Sequence, residues 1–342
     1  MGQPVDRLPS LTSPRDRPPE PAARSRLAPI HIDVGRQPAG PGPRATGAQR
    51  KVRSGNGFRA VLALSGIAVS VLLIAIFLSL LVASRPALVH NGIGFLTGTT
   101  WDPVTSTFGA LPFLAGTLLT SLIALAIATV FALAIAILLG EYMSRGPVSA
   151  VMLSLVDLLA GVPSVVYGFV GLAWLVPAVR GIQRLVGVPP FGVSILTASL
   201  LLAVMIMPYA ASIGRQMITL VPADLREAAL SLGATRSEAI RRVILPYASS
   251  GIMGGVLLAL GRALGETMAV TMVIGNSPTL TLNVLVPGNT MASLIANEFS
   301  EATGPVYVAS LVEVGLLLFV VSTALNIGGK AIVRRMVPEG RS

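Results

Sequence analysis

Six stretches of this chain stay apolar for long enough to cross a bilayer, which takes about 20 helical residues. They lie at 58–83, 113–139, 149–174, 193–214, 250–274 and 306–328, and the charged residues gather almost entirely between them. The pattern predicts an all-α polytopic membrane protein with six transmembrane helices. An even number of crossings places both ends on one side. Ahead of the first run, residues 1–53 hold ten Pro and ten Lys or Arg with no apolar periodicity, which predicts a disordered basic tail. The first run starts too late and runs too long for the apolar centre of a secretory signal, so the tail reads as a retained cytosolic extension. The membrane-spanning remainder covers 54–342.

Composition agrees with the pattern: 53% of residues are hydrophobic and 12% charged, against about 25% charged in soluble domains. Orientation follows from the basic residues. With the N-terminus inside, 21 Lys and Arg fall on the cytosolic side and three, Arg85, Arg180 and Arg184, fall outside; without the tail the balance is still 11 to three. The net charge of +10 is therefore a topology signal and predicts no nucleic-acid partner. Without Cys there is no disulfide framework or thiolate chemistry. His31 and His90, on opposite predicted sides of the membrane, supply neither a metal site nor a nucleophile's base. No GxxxxGK[ST] loop is present, so nucleotide hydrolysis would belong to another subunit.

The cytosolic segment 215–246 carries a folding pattern of its own. Pro222 suits a helix start, Leu225, Ala228, Ala229 and Leu232 share a face, and Gly233 suits a left-handed helix end. Thr235 with Glu238 three residues on is a capping box, opening a second helix with Ala239, Ile240, Val243 and Ile244 on one face and Pro246 as its stop. Two short helices at a glycine bend would give a soluble partner something to grip.

Glu227-Ala228-Ala229, three residues, Gly233, nine residues, then Val243-Ile244-Leu245-Pro246 resembles the EAA loop of ABC importer permeases, with Val243 where that family usually has Ile. The resemblance implies the type I ABC importer permease fold. It also implies that Glu227, Ala228, Ala229, Gly233, Leu245 and Pro246 belong to a coupling helix that docks on an ATP-hydrolysing subunit. Trp101-Asp102-Pro103, Phe108 to Phe113, Gly116-Thr117-Leu118, Gly161 to Gly168, and Gly261 to Val270 are similar to signatures of phosphate permeases of the PstC type. That resemblance covers about 95–335. It implies a second permease of the PstA type, an ATPase dimer of the PstB type that uses ATP and Mg, and an extracytoplasmic binding protein of the PstS type meeting the outer loops, chiefly 84–112 and 275–305. Membrane lipid surrounds the chain, and no cofactor is expected on the chain itself. The rivals are a permease for another oxyanion such as molybdate or sulfate, and an ion-coupled secondary transporter or membrane-signalling scaffold working without an ATPase.

Two spans carry candidate chemistry. Arg262 and Glu266, four apart within the fifth run, are expected on one helix face. An unpaired ion at the bilayer centre costs at least about 2.5 to 3.5 kcal/mol, so they should pair or face a polar pathway. One reading is a structural ion pair. The other makes Arg262 a fork-shaped donor for a passing oxyanion, with Glu266 as its resting partner and Thr267 alongside. In the third run, Gly161 and Pro163 should interrupt the helix, leaving Ser164 and the following amides as donors, or else marking a kink that packs closely. Asp157 in the same run is expected to be a satisfied polar contact.

Overall fold

The structure is a computed structural model and describes residues 55–336; the tail, 1–53, lies outside them. The chain separates into two units, Met1–Arg59 and Ala60–Ser342. Six helices among the described residues are long and apolar enough to cross a membrane: Phe58–Ala83, Leu111–Tyr142, Ser164–Val186, Ile195–Thr219, Arg236–Leu264 and Pro305–Arg334.

The elements run α1 (Gly55–Ala83), α2 (Arg85–Asn91), α3 (Gly94–Thr97), β1 (Trp101–Asp102), β2 (Thr107–Phe108), α4 (Leu111–Ile137), α5 (Pro147–Gly161), α6 (Ser164–Val170), α7 (Val176–Val186), α8 (Ile195–Thr219), α9 (Ala223–Ser231), α10 (Arg236–Ala239), α11 (Leu245–Leu264), α12 (Met268–Ile274), α13 (Met291–Glu298) and α14 (Pro305–Met336). Three π turns, Leu138–Tyr142, Gly171–Leu175 and Ile240–Ile244, extend α4, join α6 to α7 and join α10 to α11.

α8 is the central pillar. It packs along α4, where Ala124, Ala128, Ala132 and Ala136 recur every fourth residue and are all buried. Small side chains on one stripe let two helix backbones approach closely, the usual basis of helix association where the solvent is as apolar as the side chains. By contrast, no residue of α1 between Phe58 and Ala83 is buried; its ring contact with α14 joins Phe77 to Phe319 at 5.7 Å.

The loops before α4 close one end of the bundle. Trp101 sits edge-on to Phe108 and Phe113, at 4.9 and 5.2 Å between ring centres, and Phe108 stacks on Tyr307. Glu298 accepts hydrogen bonds from the Trp101 indole and the Tyr307 hydroxyl, both at 2.7 Å, tying α13 and α14 to the two-stranded ribbon. In the ribbon's turn the Thr105 hydroxyl and the Val104 amide donate to Asp102 and hold its carboxyl below the usual range.

Two of the predicted runs are cut differently. The third, 149–174, is not one span: α5 ends at Gly161, Val162 and Pro163 are extended, and the crossing helix starts at Ser164. Pro163 has no amide hydrogen and forces the residue before it out of the helical region, so the chain restarts. In the fifth, Pro246 does not stop a helix but stands in the first turn of α11, and Arg236–Leu264 forms one 29-residue rod. The wider π turn at Ile240–Ile244 relieves the clash a proline ring makes with the preceding turn of an α-helix.

Gly116 explains one motif residue by space alone. A Cβ there would collide with the Asn289 carbonyl, where the segment leading into α13 crosses α4. Gly116→Ala is expected to destabilise the purified protein by about 1–3 kcal/mol, the usual range for overpacking a tight contact. Thermal unfolding in detergent checks it, with Gly66→Ala as control; a Cβ at Gly66 meets nothing within 4 Å, and the midpoint should not fall.

Candidate functional site

Two helices broken at membrane depth lie against each other. α6 follows the break at Pro163, α12 follows a break at Gly265–Thr267, and they pack through Gly168, where any side chain would run into Met272 and sit 3.4 Å from the Ala269 Cα. Broken helices expose backbone groups that lipid cannot satisfy. Here side chains take them up. The Tyr167 hydroxyl donates to the Leu159 carbonyl at 2.7 Å, and the Tyr209 hydroxyl, from the middle of α8, donates to the Ala160 carbonyl at 2.8 Å. Both carbonyls belong to the last turn of α5, and that of Leu159 also accepts from the Val162 amide at 3.4 Å.

Arg262 stands in the last turn of α11, half-buried, with its guanidinium carbon 4.6 Å from the centre of the Tyr209 ring. That is cation–π distance. It makes no hydrogen bond or ion pair with the described residues, and its Nε is buried without a partner. The expected pairing with Glu266 is therefore absent. Because α11 ends at Leu264 and Gly265 leaves the helix, the four-residue spacing no longer puts the two side chains on one face. Glu266 instead turns back to accept the Ala269 amide at 3.3 Å in the first turn of α12, where a carboxylate complements the free N–H groups.

Thr267 stitches the restart: its hydroxyl donates to the Gly265 carbonyl at 3.3 Å, and its own carbonyl accepts from the amide and hydroxyl of Thr271. Glu266 also lines a cavity of about 10 Å³ with Thr117, Thr120, Ser121 and Thr290. That space is at the lower limit for one water, so it holds no oxyanion in this conformation. The Thr120 hydroxyl is buried and has no partner.

Arg262, Glu266 and Thr267 thus gather at one break. Ser164 is half-buried at the start of α6 and makes no hydrogen bond with the described residues, while the Val166 and Tyr167 amides turn back to the Pro163 carbonyl. Asp157 differs from expectation: it is exposed on α5 and makes no polar contact among the described residues.

The segment expected to couple to an ATPase is folded. α9 presents Glu227 and Ala228 outward and buries Ala229, Gly233 has φ +85°, and the Thr235–Glu238 capping box is complete. Leu245 is half-buried and Pro246 exposed where α11 begins. Leu232, Gly233, Arg242 and Val243 border a groove of about 370 Å³. Glu141, in the π turn that extends α4, anchors the segment: its carboxylate lies 3.5 Å from Arg226, its carbonyl accepts from Arg236 at 3.4 Å, and Arg236 covers the Tyr142 ring.

Sequence reasoning passed over Tyr209, Glu141 and Glu313. Tyr209 is the single aromatic residue in the run 193–214, and that isolation is a readable signal. Glu313 is an acid inside the sixth run; it is buried and accepts from the Asn91 amide at 3.1 Å. Glu141 gives no signal, since its partners lie 85 or more residues away.

The match to known proteins follows the same architecture. A family model for binding-protein-dependent transport system inner membrane components matches residues 132–338. The phosphate transport system permease protein PstC of Mesorhizobium japonicum is 44% identical over 280 residues, covering 78% of this chain and 85% of that protein. PstC of Haemophilus influenzae is 40% identical over 297 residues, covering 82% and 93%. Among solved structures, a bacterial alginate ABC transporter in complex with an alginate pentasaccharide-bound periplasmic protein aligns at a TM-score of 0.56 and 15% identity, covering 83% of this chain and 97% of that one. The inward-facing MetNI methionine ABC transporter aligns at 0.50 and 19%, covering 65% and 94%. At such identities the two structures speak for the fold alone, an ABC importer permease. With the sequence relatives and the family model in agreement, this chain belongs to the PstC family of binding-protein-dependent inner-membrane permeases.

Proposed function

We propose that this chain is one of two permease subunits of an ATP-driven importer of inorganic phosphate, lying in the bacterial plasma membrane with both termini in the cytosol. The observation that carries the reading is Arg262: a guanidinium inside a membrane-crossing helix, held by an aromatic ring and by no carboxylate among the described residues. A cation kept there without a counter-ion is suited to a mobile anion, and its planar fork matches two phosphate oxygens. The curated relatives, named as phosphate permeases, favour phosphate among the oxyanions. Glu266 and Thr267 then hold the broken backbone beside the guanidinium, and Ser164 stands at the neighbouring break.

This chain supplies no ATP chemistry. The partners are a second permease of the PstA type, a PstB-type ATPase dimer using ATP and Mg, and a PstS-type binding protein on the outer loops. Closing of the ATPase dimer is received at α9 and passes through the bend at Gly233 into the rod that ends at Arg262.

Three outcomes are expected. Arg262→Gln in the assembled transporter loses phosphate uptake by at least about 100-fold while the subunits still co-purify, since one bidentate charged contact is worth about 3 kcal/mol. Normal accumulation would remove the site assignment, and ATP hydrolysis stimulated by sulfate or molybdate in place of phosphate would overturn the substrate. Gly233→Val, which forces a β-branched residue to φ +85°, is expected to reduce recovery of the ATPase with the permease; unchanged recovery counts against the coupling role. Glu141→Gln is expected to speed amide exchange across 223–231 with the unfolding temperature of the whole protein unchanged, because the bridge to Arg226 is partly exposed and contributes modestly.

A further inference from the structure

The C-terminal halves of α11 and α14 enclose a cleft of about 470 Å³ that the transport reading does not use. One wall is Gly254, Leu257, Leu258 and Gly261, recurring at three and four residues along α11; the other is Asn326, Lys330, Val333 and Arg334 on α14. The helices touch at Gly329, where a Cβ would collide with Leu257, and separate beside that contact because two positions on α11 have no side chain. Nothing lies within 4 Å of where a Cβ on Gly254 would be, and at Gly261 the nearest atoms are those of the Asn326 amide, 3.7 and 3.8 Å away. The α11 wall of the cleft is apolar, and the Asn326 amide stands at its Gly261 end. Its open end carries two cations one helical turn apart, and no acidic side chain among the described residues lies within ion-pair distance of either.

We propose that this cleft is a binding site for an anionic phospholipid, with one acyl chain lying along Leu257 and Leu258 over the glycines and the phosphodiester held by Lys330 and Arg334. The charge balance supports a lipid. Two cations beside an apolar groove near the end of two membrane spans need a counter-charge, and basic pockets between transmembrane helices are a common way to hold lipid headgroups. The shape supports it also: a free phosphate would satisfy the cations but leave the wall of Leu257, Leu258 and Val333 unfilled. Bound there, the lipid would bridge α11, which carries Arg262, to α14 and bias how the two helices separate.

The test is a lipid titration of the delipidated, fully assembled transporter followed by native mass spectrometry, using phosphatidylglycerol, phosphatidylcholine and inorganic phosphate as separate probes. Wild type should retain phosphatidylglycerol saturably and phosphatidylcholine far less. The double variant Lys330→Gln/Arg334→Gln should bind phosphatidylglycerol about 25-fold more weakly, taking about fivefold per basic contact. Gly254→Leu, which keeps both cations and fills the floor, should weaken it as well while the subunits stay together. Equal affinity in the double variant, equal retention of phosphatidylcholine, or displacement of the lipid by equimolar inorganic phosphate would each overturn the assignment. Phosphate uptake is not the readout, so the outcome is independent of the transport reading.

Discussion

A bilayer offers no hydrogen bonds, and every peculiarity of the central region follows from that. A chain that breaks its helices at membrane depth must satisfy the freed amides and carbonyls from within. This protein does so with two tyrosine hydroxyls on the last carbonyls of α5, a glutamate on the first turn of α12 and a threonine folded back on its own loop. Once those side chains are committed to the backbone, Arg262 is the cation left over. Its lack of a carboxylate partner among the described residues follows from Glu266 being bound to the start of α12 instead.

Legibility in the sequence tracked how local the cause was. The number of crossings and the capping box at Thr235 were readable because helical periodicity and caps are decided within a few residues, while the third and fifth runs were cut elsewhere than expected. So was the left-handed turn at Gly233. Pro163 announced its break for the same reason. What stayed hidden depended on geometry that accumulates along the chain. Gly265 is one glycine among 35, and nothing near it says that it would end a helix where Gly261 does not. That one difference undoes the same-face argument for Arg262 and Glu266. The role of Tyr209 could not be read either, since the carbonyl it serves is 49 positions away.

Packing follows the same economy of small residues. Four alanines set α4 against α8, Gly168 sets α6 against α12, and Gly116 admits the segment entering α13. In a membrane these positions replace the large apolar side chains of a soluble core, because burying hydrocarbon away from hydrocarbon gains little and close backbone approach gains dispersion. The motifs rich in glycine are thus partly steric statements, separate from any contact with a substrate.

The unbroken helix from Arg236 to Leu264 has a mechanical meaning. Arg236 begins it and Arg262 stands near its other end, 26 positions apart, which at about 1.5 Å per residue is a lever of about 39 Å. Tipping such a lever by about 5° carries its tip about 3 Å, the span of a single hydrogen bond. A Pro that ended the rod at 246 would have left the two ends to move separately. The π turn that accommodates Pro246 keeps the two ends on one continuous helix, so a tilt too small to repack the bundle is carried along it to the guanidinium.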